Sequence, residues 1–224
     1  MMSGGLDLDD LCRRAKAIVD EARSAGSLAV DVEVADAMPT VARSLELLRS
    51  AVTLAEAETS AAIGLIARAL FEEWLFTLLW IDGTNDDRSR LVADYFHHAE
   101  RLADKVDAAP PLRPEGVQPK QWGVWSRAQR LDELLGTQRA TEIYDLVFRI
   151  ESLASAHGGI GARGRHLRIV EDRPVIDAVG HDPAATIGRL AIAVILVGEM
   201  CSRLWAAAGR DTTRFDLAAD VPFS

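Results

Sequence analysis

Apolar positions recur at helical spacing along most of the chain. From Leu6 to about Ala25 they follow one another at intervals of three and four residues, with aspartates in front of them. This pattern indicates an amphipathic helix that ends at Gly26. The segment 28–38 alternates like a short strand but has no partner strand nearby, so a connector is predicted there. Pro39 then begins the next helix.

Two helices are predicted between Pro39 and Ile81, because the polar stretch 56–60 separates two different periodicities. The second of them is apolar nearly all round, which is typical of a central buried helix. It stops at Asp82 and Gly83, and a fourth helix is predicted from about Asp86 to Val106.

The second half of the chain contains further helices and one weaker pattern. A proline-rich connection, 107–121, precedes a short helix around 122–135 and another helix at about 137–156. The run 166–178 favours a small hairpin that turns around 171–174. Asp182 and Pro183 form a typical N-cap and first turn, after which a long apolar helix runs to about Ala208.

These elements predict an all-α fold, a bundle of six to seven helices within a single domain that spans residues 1–224. The bundle core is expected at about 41–208, and the tail after Gly209 is expected to be loosely held. Cys12 and Cys201 lie inside helical apolar patterns, so they are interpreted as small buried hydrophobic residues and not as a disulfide.

Charge narrows the possible functions. The formal net charge of -9 argues against a surface built throughout for nucleic acid, so any polyanion site has to be local. The N-terminus is acidic before any apolar run, the wrong charge order for a secretory signal. The most apolar stretch, 190–198, is shorter than the ~20 residues that cross a bilayer. A cytoplasmic protein without a membrane association is therefore predicted.

Arg68 and Glu72 are the first candidate site residues. They lie four residues apart and share one face of the helix that the pattern marks as most buried. Because a buried ion pair is costly to desolvate, retaining one suggests a positioning role at a pocket. The alternative interpretation is a structural pair that bridges to neighbouring helices or reaches the surface.

Arg149 and His157 are the second candidate, at the end of the helix predicted at 137–156. Histidine titrates near neutrality and can move a proton at a ribose 2′-hydroxyl or a leaving oxygen, while arginine stabilises phosphorane charge. These residue types together indicate metal-free RNA cleavage. The two residues are separated by about 12 Å along a helix axis, so a two-fold homodimer is predicted to bring the Arg of one chain to the His of the other.

A basic loop follows directly. It contains Arg163, Arg165 and Arg168, and no acidic residue occurs between Glu151 and Glu171. We predict that these arginines hold an RNA backbone.

A structural alternative to this site uses ordinary interactions. Arg149 could pair with Asp145, and His157 could cap its helix or fill a core position.

Metal binding was considered for a set of histidines with Glu72 or Glu100, namely His98, His157, His166 and His181. Their spacings match neither a zinc-protease helix nor the Glu-x-x-His pairs of di-iron bundles. No metal and no cofactor are therefore predicted.

Three segments, ARALFEEWLFTLLW, DYFHHAERL and YDLVFRIESLASAHGG, carry a resemblance to the HEPN-like superfamily. In particular, the chain resembles a bacterial family of unknown function with an R-x-x-x-E helix and a Tyr…Ser…His segment, over about 41–208. The resemblance implies a helical bundle that dimerises, with many members acting as ribonucleases in toxin-antitoxin or antiviral systems and others having lost catalysis.

By position, the resemblance makes His157 the catalytic histidine. The arginine of the usual motif precedes its histidine by four to six intervening residues, whereas seven residues separate Arg149 from His157. Arg68, Glu72 and Tyr144 are expected to orient the groups around them. RNA is then the expected substrate, and an antitoxin or other protein is a possible partner. The alternative function is a non-catalytic helical module that binds another protein or itself.

Overall fold

The computed structural model describes residues 7–24, 28–150, 167–170, 172–176 and 182–218, with side chains for all of these except 148–150, 167, 168, 217 and 218. It confirms the all-α bundle. The elements are α1 (Leu8–Ser24), α2 (Val32–Ala35), α3 (Met38–Glu56), α4 (Ser60–Ile81), α5 (Asn85–Lys105), α6 (Val124–Leu135), α7 (Arg139–Ile143), a π-helix (Tyr144–Ile150), β1 (Leu167–Val170), β2 (Arg173–Ile176), α8 (Pro183–Ala207) and a 3-10 helix (Thr213–Ala218).

The two helices that are apolar nearly all round, α4 and α8, lie side by side at the centre and run in the same direction. Near their N-terminal ends, Ser60 Oγ and Thr186 Oγ1 are 2.7 Å apart. Farther along, the Trp74 indole donates to Glu199 at 3.0 Å. Twelve residues of α4 and fourteen of α8 are buried. This burial confirms the prediction that both helices form the core.

Helices α1 and α3 pack around this pair. The turn between α3 and α4 reverses the chain, and Arg43 near the start of α3 reaches Glu73 in the second half of α4 with 2.6 Å between Nη1 and Oε1. Helix α1 buries Leu11, Ala15 and Ile18 completely against α3 and α8. The core therefore begins before residue 41, because α1 presents a full apolar stripe to the bundle.

Local sequence explains the ends of the central helices. A Cβ atom at Gly83 would lie 2.1 Å from the carbonyl oxygen of Leu79, so only glycine fits the turn after α4. Thr84 and Asp87 then form a capping box at the start of α5. Asp182 caps α8 by accepting from the Ala185 amide at 3.0 Å, as its position before Pro183 predicts.

Three predicted elements differ from the structure. The connector at 28–38 contains the single turn α2, where the Trp80 indole donates to the Glu33 carbonyl at 2.7 Å. The helix predicted at 137–156 begins at Arg139 and becomes a π-helix at Tyr144, and 151–156 lie outside the described residues. The tail after Gly209 was expected to be loose, yet Phe215 is fully buried and packs edge-on against Trp205 at 5.0 Å.

The predicted hairpin is present. Strands β1 and β2 pair antiparallel, with Leu167 opposite Ile176 and Val170 opposite Arg173. Asp172 in the turn has a φ of 60°, a left-handed conformation that aspartate tolerates better than most residues. Ile169 and Ile176 lie on the same face of the hairpin and are 65% and 81% exposed.

Within the described residues one helix, α8, is both long enough and apolar enough to cross a membrane, judged by length and composition alone. About 67% of its apolar window is buried inside the bundle. A core helix passes the same test, so this feature is weak evidence for a membrane span. Cys12 and Cys201 are both free and buried, as predicted, and burial raises the pKa of the Cys201 thiol to about 12.

Candidate functional site

Arg68 and Glu72 occupy one face of α4, as their spacing predicts, but they are not buried. Their side chains are 30% and 41% exposed, and Arg68 Nε lies 3.9 Å from Glu72 Oε1. The expectation of a costly buried ion pair was wrong, because this stripe of α4 is left partly uncovered by the neighbouring helices. The pair reaches solvent, and Leu65, one turn earlier on the same stripe, is 48% exposed.

Tyr144 lies at the junction of α7 and the π-helix, between two aromatic residues. Its ring centroid is 6.4 Å from that of Phe71 on α4 and 5.0 Å from that of Trp125 on α6. Phe71 lies in the same helical turns as Arg68 and Glu72. Tyr144 therefore packs where α4, α6 and the π-helix meet, and Arg68 and Glu72 lie within one helical turn of its Phe71 contact.

The side chains of the predicted catalytic and RNA-binding residues are not among those that the structure describes. Arg149 belongs to the π-helix and Arg168 to β1, but their side chains lie outside the described residues, as do His157, Arg163 and Arg165 entirely. The π-helix that carries Arg149 packs directly on α4. Helices of this type occur often at functional sites, since the extra residue redirects the side chains that follow.

A cavity of about 360 Å³ is lined by residues of α7, α8 and the 3-10 helix. Its lining includes Arg139, Glu199, Ser202, Arg203 and Asp216. No histidine or cysteine is among its lining residues, so the cavity offers binding groups of both charges but no group that titrates near neutrality.

The Glu199 carboxylate, which lines this cavity, binds two side chains. It accepts the Trp74 indole proton at 3.0 Å and pairs with Arg139 Nη1 at 3.1 Å. In the sequence, Glu199 directly follows the apolar stretch 190–198. No short motif joins it to Arg139, so pattern analysis had no signal for this contact.

Buried carboxylates form a second polar region, which holds α5, α6 and α7 together. Asp87 is 1% exposed and accepts from Arg130 Nε at 2.9 Å and from Nη2 at 3.0 Å. The hydrogen bonds from Arg130, reinforced by those from Thr84, lower the pKa of Asp87 to about 2. Asp87 is therefore ionised throughout the physiological range.

Two more buried carboxylates act on backbone amides. Asp94 accepts from the Trp122 amide at 2.7 Å. Asp132 accepts from the Ala140 and Thr141 amides at 2.8 Å and 2.9 Å, which satisfies free donors at the start of α7. These contacts fix the positions of the segment before α6 and of the start of α7.

The Glu73 carboxyl differs from these carboxylates, because burial raises its pKa more than the charge of its partner Arg43 lowers it. Desolvation raises the pKa of Glu73, and the nearby charge of Glu72 adds to the effect, while Arg43 opposes it. The two adjacent glutamates thus lie in different environments, Glu72 in solvent and Glu73 half-enclosed between α3 and α4.

The metal-binding alternative finds no support among the described residues, in which no group of three or more His, Cys, Asp and Glu side chains could hold an ion. His98 lies 3.5 Å from Asp94 and is exposed, and Glu100 instead contacts Arg113 at 2.8 Å. The other three histidines considered, His157, His166 and His181, lie outside the described residues.

Comparisons with protein-family models, with curated proteins and with solved structures found no match. The HEPN-like resemblance therefore stays a prediction from the sequence.

Proposed function

We propose that the protein is a metal-independent endoribonuclease of the HEPN-like type, active as a homodimer. The observation that carries the proposal is the position of Tyr144. It packs on Phe71 beside the solvent-reaching Arg68–Glu72 pair, on the side of α4 that contacts the helix of Arg149. In the proposed site, Arg68, Glu72 and Tyr144 orient Arg149 and His157.

In the proposed mechanism His157 transfers the proton at the ribose 2′-hydroxyl or at the leaving oxygen. Arg149 stabilises the negative charge that develops on the non-bridging phosphoryl oxygens in the transition state. Arg163, Arg165 and Arg168 hold the RNA backbone, and no metal or cofactor takes part. A protein with net charge -9 needs such a confined basic segment to retain a polyanion.

Cleavage of RNA in the presence of EDTA tests the proposal. The wild-type protein is expected to cleave, and His157→Ala is expected to lower the rate constant at least about 100-fold, the usual contribution of a general acid or base. His98→Ala is the matched control, because His98 is 56% exposed and belongs to α5. Absence of cleavage in EDTA, or unchanged cleavage by His157→Ala, would refute the proposal.

Complementation between variants tests the composite site. If Arg149 of one subunit acts with His157 of the other, mixed dimers of Arg149→Ala and His157→Ala contain one intact site. Random exchange then restores about a quarter of wild-type activity from two inactive proteins. No recovery in demonstrably mixed dimers would place both residues of each site in the same chain, and a monomer at assay concentration would exclude the homodimer.

A second function, a non-catalytic module that binds another protein or itself, is supported by the hairpin. Ile169, Val170, Val175 and Ile176 are between 45% and 81% exposed. Exposed apolar clusters of this kind often mark protein interfaces. Under this alternative, Ile176→Asp removes association without any RNA cleavage to lose, whereas Val32→Asp, at a position 89% exposed on α2, leaves association intact.

The cellular setting of the proposed ribonuclease follows from the sequence resemblance. We place the activity in the cytoplasm, in a toxin-antitoxin or antiviral system, with an antitoxin or another protein as its regulator. Co-expression with the gene product encoded beside it tests this point, because a cognate antitoxin is expected to relieve growth arrest and to bind the purified protein.

A further inference from the structure

A separate open cleft of about 170 Å³ lies between α5 and the segment that leads into α6. Arg90 from α5 lines one side of it. Gln118, Lys120, Gln121 and Trp122 line the other side. The lining residues include two cations and no carboxylate, which is unusual in a chain with 34 acidic and 25 basic residues.

Among the described residues, the two cations of this cleft lack the carboxylate partners that nearby arginines have. Arg88 and Arg130 each contact a carboxylate, at 3.2 Å and 2.9 Å. Among the described residues, neither the Arg90 guanidinium nor the Lys120 ammonium has a carboxylate within 4.0 Å. The cleft is thus a local positive site within an acidic protein, and its charge is not neutralised from within.

The walls of the cleft are held in place by contacts that leave these donors available. Arg90 Cζ lies 4.0 Å from the centroid of the Trp122 ring, a cation–π contact that fixes the guanidinium plane but leaves its N–H edges open. Trp122 is 5% exposed, and its amide is bound by Asp94 at 2.7 Å. The Lys120 amide donates to the Ala93 carbonyl at 3.2 Å.

We propose that this cleft binds a phosphate dianion, between the Arg90 guanidinium and the Lys120 ammonium. Two positive charges balance a doubly charged phosphate, the guanidinium edge suits two phosphate oxygens, and the Gln118 and Gln121 amides supply further donors. The ligand is inorganic phosphate or the phosphate of a monoester, either a small sugar phosphate or the terminal phosphate of an RNA. The inference does not depend on the proposed ribonuclease activity.

Titration of the full chain with inorganic phosphate at low ionic strength tests the site. Heteronuclear NMR of the five tryptophan indoles follows binding, because the Trp122 Nε1–H is buried without an acceptor and lies beside the cleft. We expect the Trp122 signal to shift with a dissociation constant of about 1 mM, while the other indoles change little. Arg90→Gln and Lys120→Gln are each expected to weaken binding about fivefold to tenfold, and the double variant to abolish it.

Arg101→Gln is the matched control, since Arg101 is an exposed arginine of α5 outside the cleft. It is expected to change the affinity less than about twofold. Calorimetry measures the same affinities, so the result does not depend on a signal that Arg90→Gln itself perturbs. No response of Trp122 up to about 50 mM phosphate, or an unchanged affinity in the folded double variant, would overturn the proposal.

Three further ligands distinguish the sources of the phosphate: a ribose phosphate, an RNA oligonucleotide with a terminal phosphate, and the same oligonucleotide with a terminal hydroxyl. Tightest binding of the ribose phosphate identifies a small-molecule site. A preference of about tenfold for the phosphorylated oligonucleotide over the hydroxyl form, lost in Lys120→Gln, identifies an RNA end. Equal affinity for both oligonucleotides without any competition by phosphate contradicts a phosphate-dianion site.

Discussion

Two regions of the bundle are held together by different kinds of contact, apolar packing between α4 and α8 and ion pairs between α5 and α6. Helices α4 and α8 meet through apolar side chains along most of their length, with polar contacts at the ends and at Trp74. Helices α5 and α6 both pack on α4, but they are joined to each other by ion pairs, Asp87 with Arg130 and Asp94 with Arg127.

The apolar contacts of α4 and α8 therefore mainly stabilise the fold, whereas the ionic contacts of α5 and α6 mainly position the helices. Apolar burial is non-directional and depends little on pH or salt. Bidentate ion pairs and carboxylate-to-amide hydrogen bonds are directional, and they fix how α5, α6 and the start of α7 are placed. The candidate site and the proposed phosphate cleft both lie along this second region, next to Trp125 and Trp122. We therefore expect changes in the first region to affect stability alone, and changes in the second to depend on solution conditions.

The largest effect is expected in the apolar region. Leu196→Ala removes a fully buried side chain from α8 and is expected to lower the free energy of unfolding by about 4 kcal/mol, because a cavity remains in a tightly packed core. Urea denaturation followed by circular dichroism measures the loss, at low and at high salt. Leu112→Ala, at a position 98% exposed, is the control and should cost less than about 0.5 kcal/mol. A strongly salt-dependent loss for Leu196→Ala would contradict the distinction between the regions.

A somewhat smaller effect is expected in the ionic region. Asp87→Asn leaves Arg130 without its bidentate partner and is expected to lower the free energy of unfolding by about 3 kcal/mol at neutral pH. A double-mutant cycle with Arg130→Gln separates the pairwise contribution from the cost of an unpaired charge. Asp86→Asn, an exposed neighbour in the same helical turn, should have almost no effect. Equal losses for Asp86→Asn and Asp87→Asn would contradict this assignment.

The acid dependence of the same residue gives an independent measurement. Because the folded pKa of Asp87 lies at about 2, below the ordinary value near 3.9, the ionised carboxyl stabilises the fold at every pH above about 4. That contribution, about 2 to 3 kcal/mol, is lost as the pH falls from about 4 to 2. The wild-type and Asp87→Asn stabilities should therefore converge over this window, and a constant difference between them down to pH 2 would refute the pKa argument.

The sequence predicted the first region far better than the second. The residues of a helix that is apolar all round are enough to predict that it is buried, so both α4 and α8 were predicted from the sequence. Their boundaries were predicted as well, because Gly83 and Asp182 mark a helix end and a helix start through local backbone chemistry. Contacts between distant positions have no such signature. Asp87 and Arg130 lie 43 residues apart, and only the packing of α5 and α6 on α4 brings them together.

The same limit explains the errors at the candidate site. The spacing of Arg68 and Glu72 correctly placed both on one face of α4, but spacing along one helix does not say which stripe the other helices cover. The π-helix at Tyr144 also gave no periodic signal, since its residues read as an ordinary helix. Phe215 was missed because a single aromatic residue in a polar tail shows no pattern, although it fills a place beside Trp205.

The smallest expected effect lies where the two regions meet, at the C-terminal end of α4. Asp82 follows the last turn, where the helix dipole disfavours a negative charge, and burial raises the pKa of its carboxyl despite Arg203 at 3.4 Å. Its charged form therefore destabilises the fold at neutral pH, and Asp82→Asn is expected to raise the free energy of unfolding by about 0.5 to 1 kcal/mol. Thermal unfolding between pH 3 and pH 8 tests the sign, because the gain should shrink as the pH falls through the raised folded pKa and should vanish below the ordinary value of about 3.9, where the wild-type carboxyl is neutral in both states. A loss of stability at pH 7, removed by combining the change with Arg203→Gln, would show instead that the ion pair outweighs the cost of burying this charge.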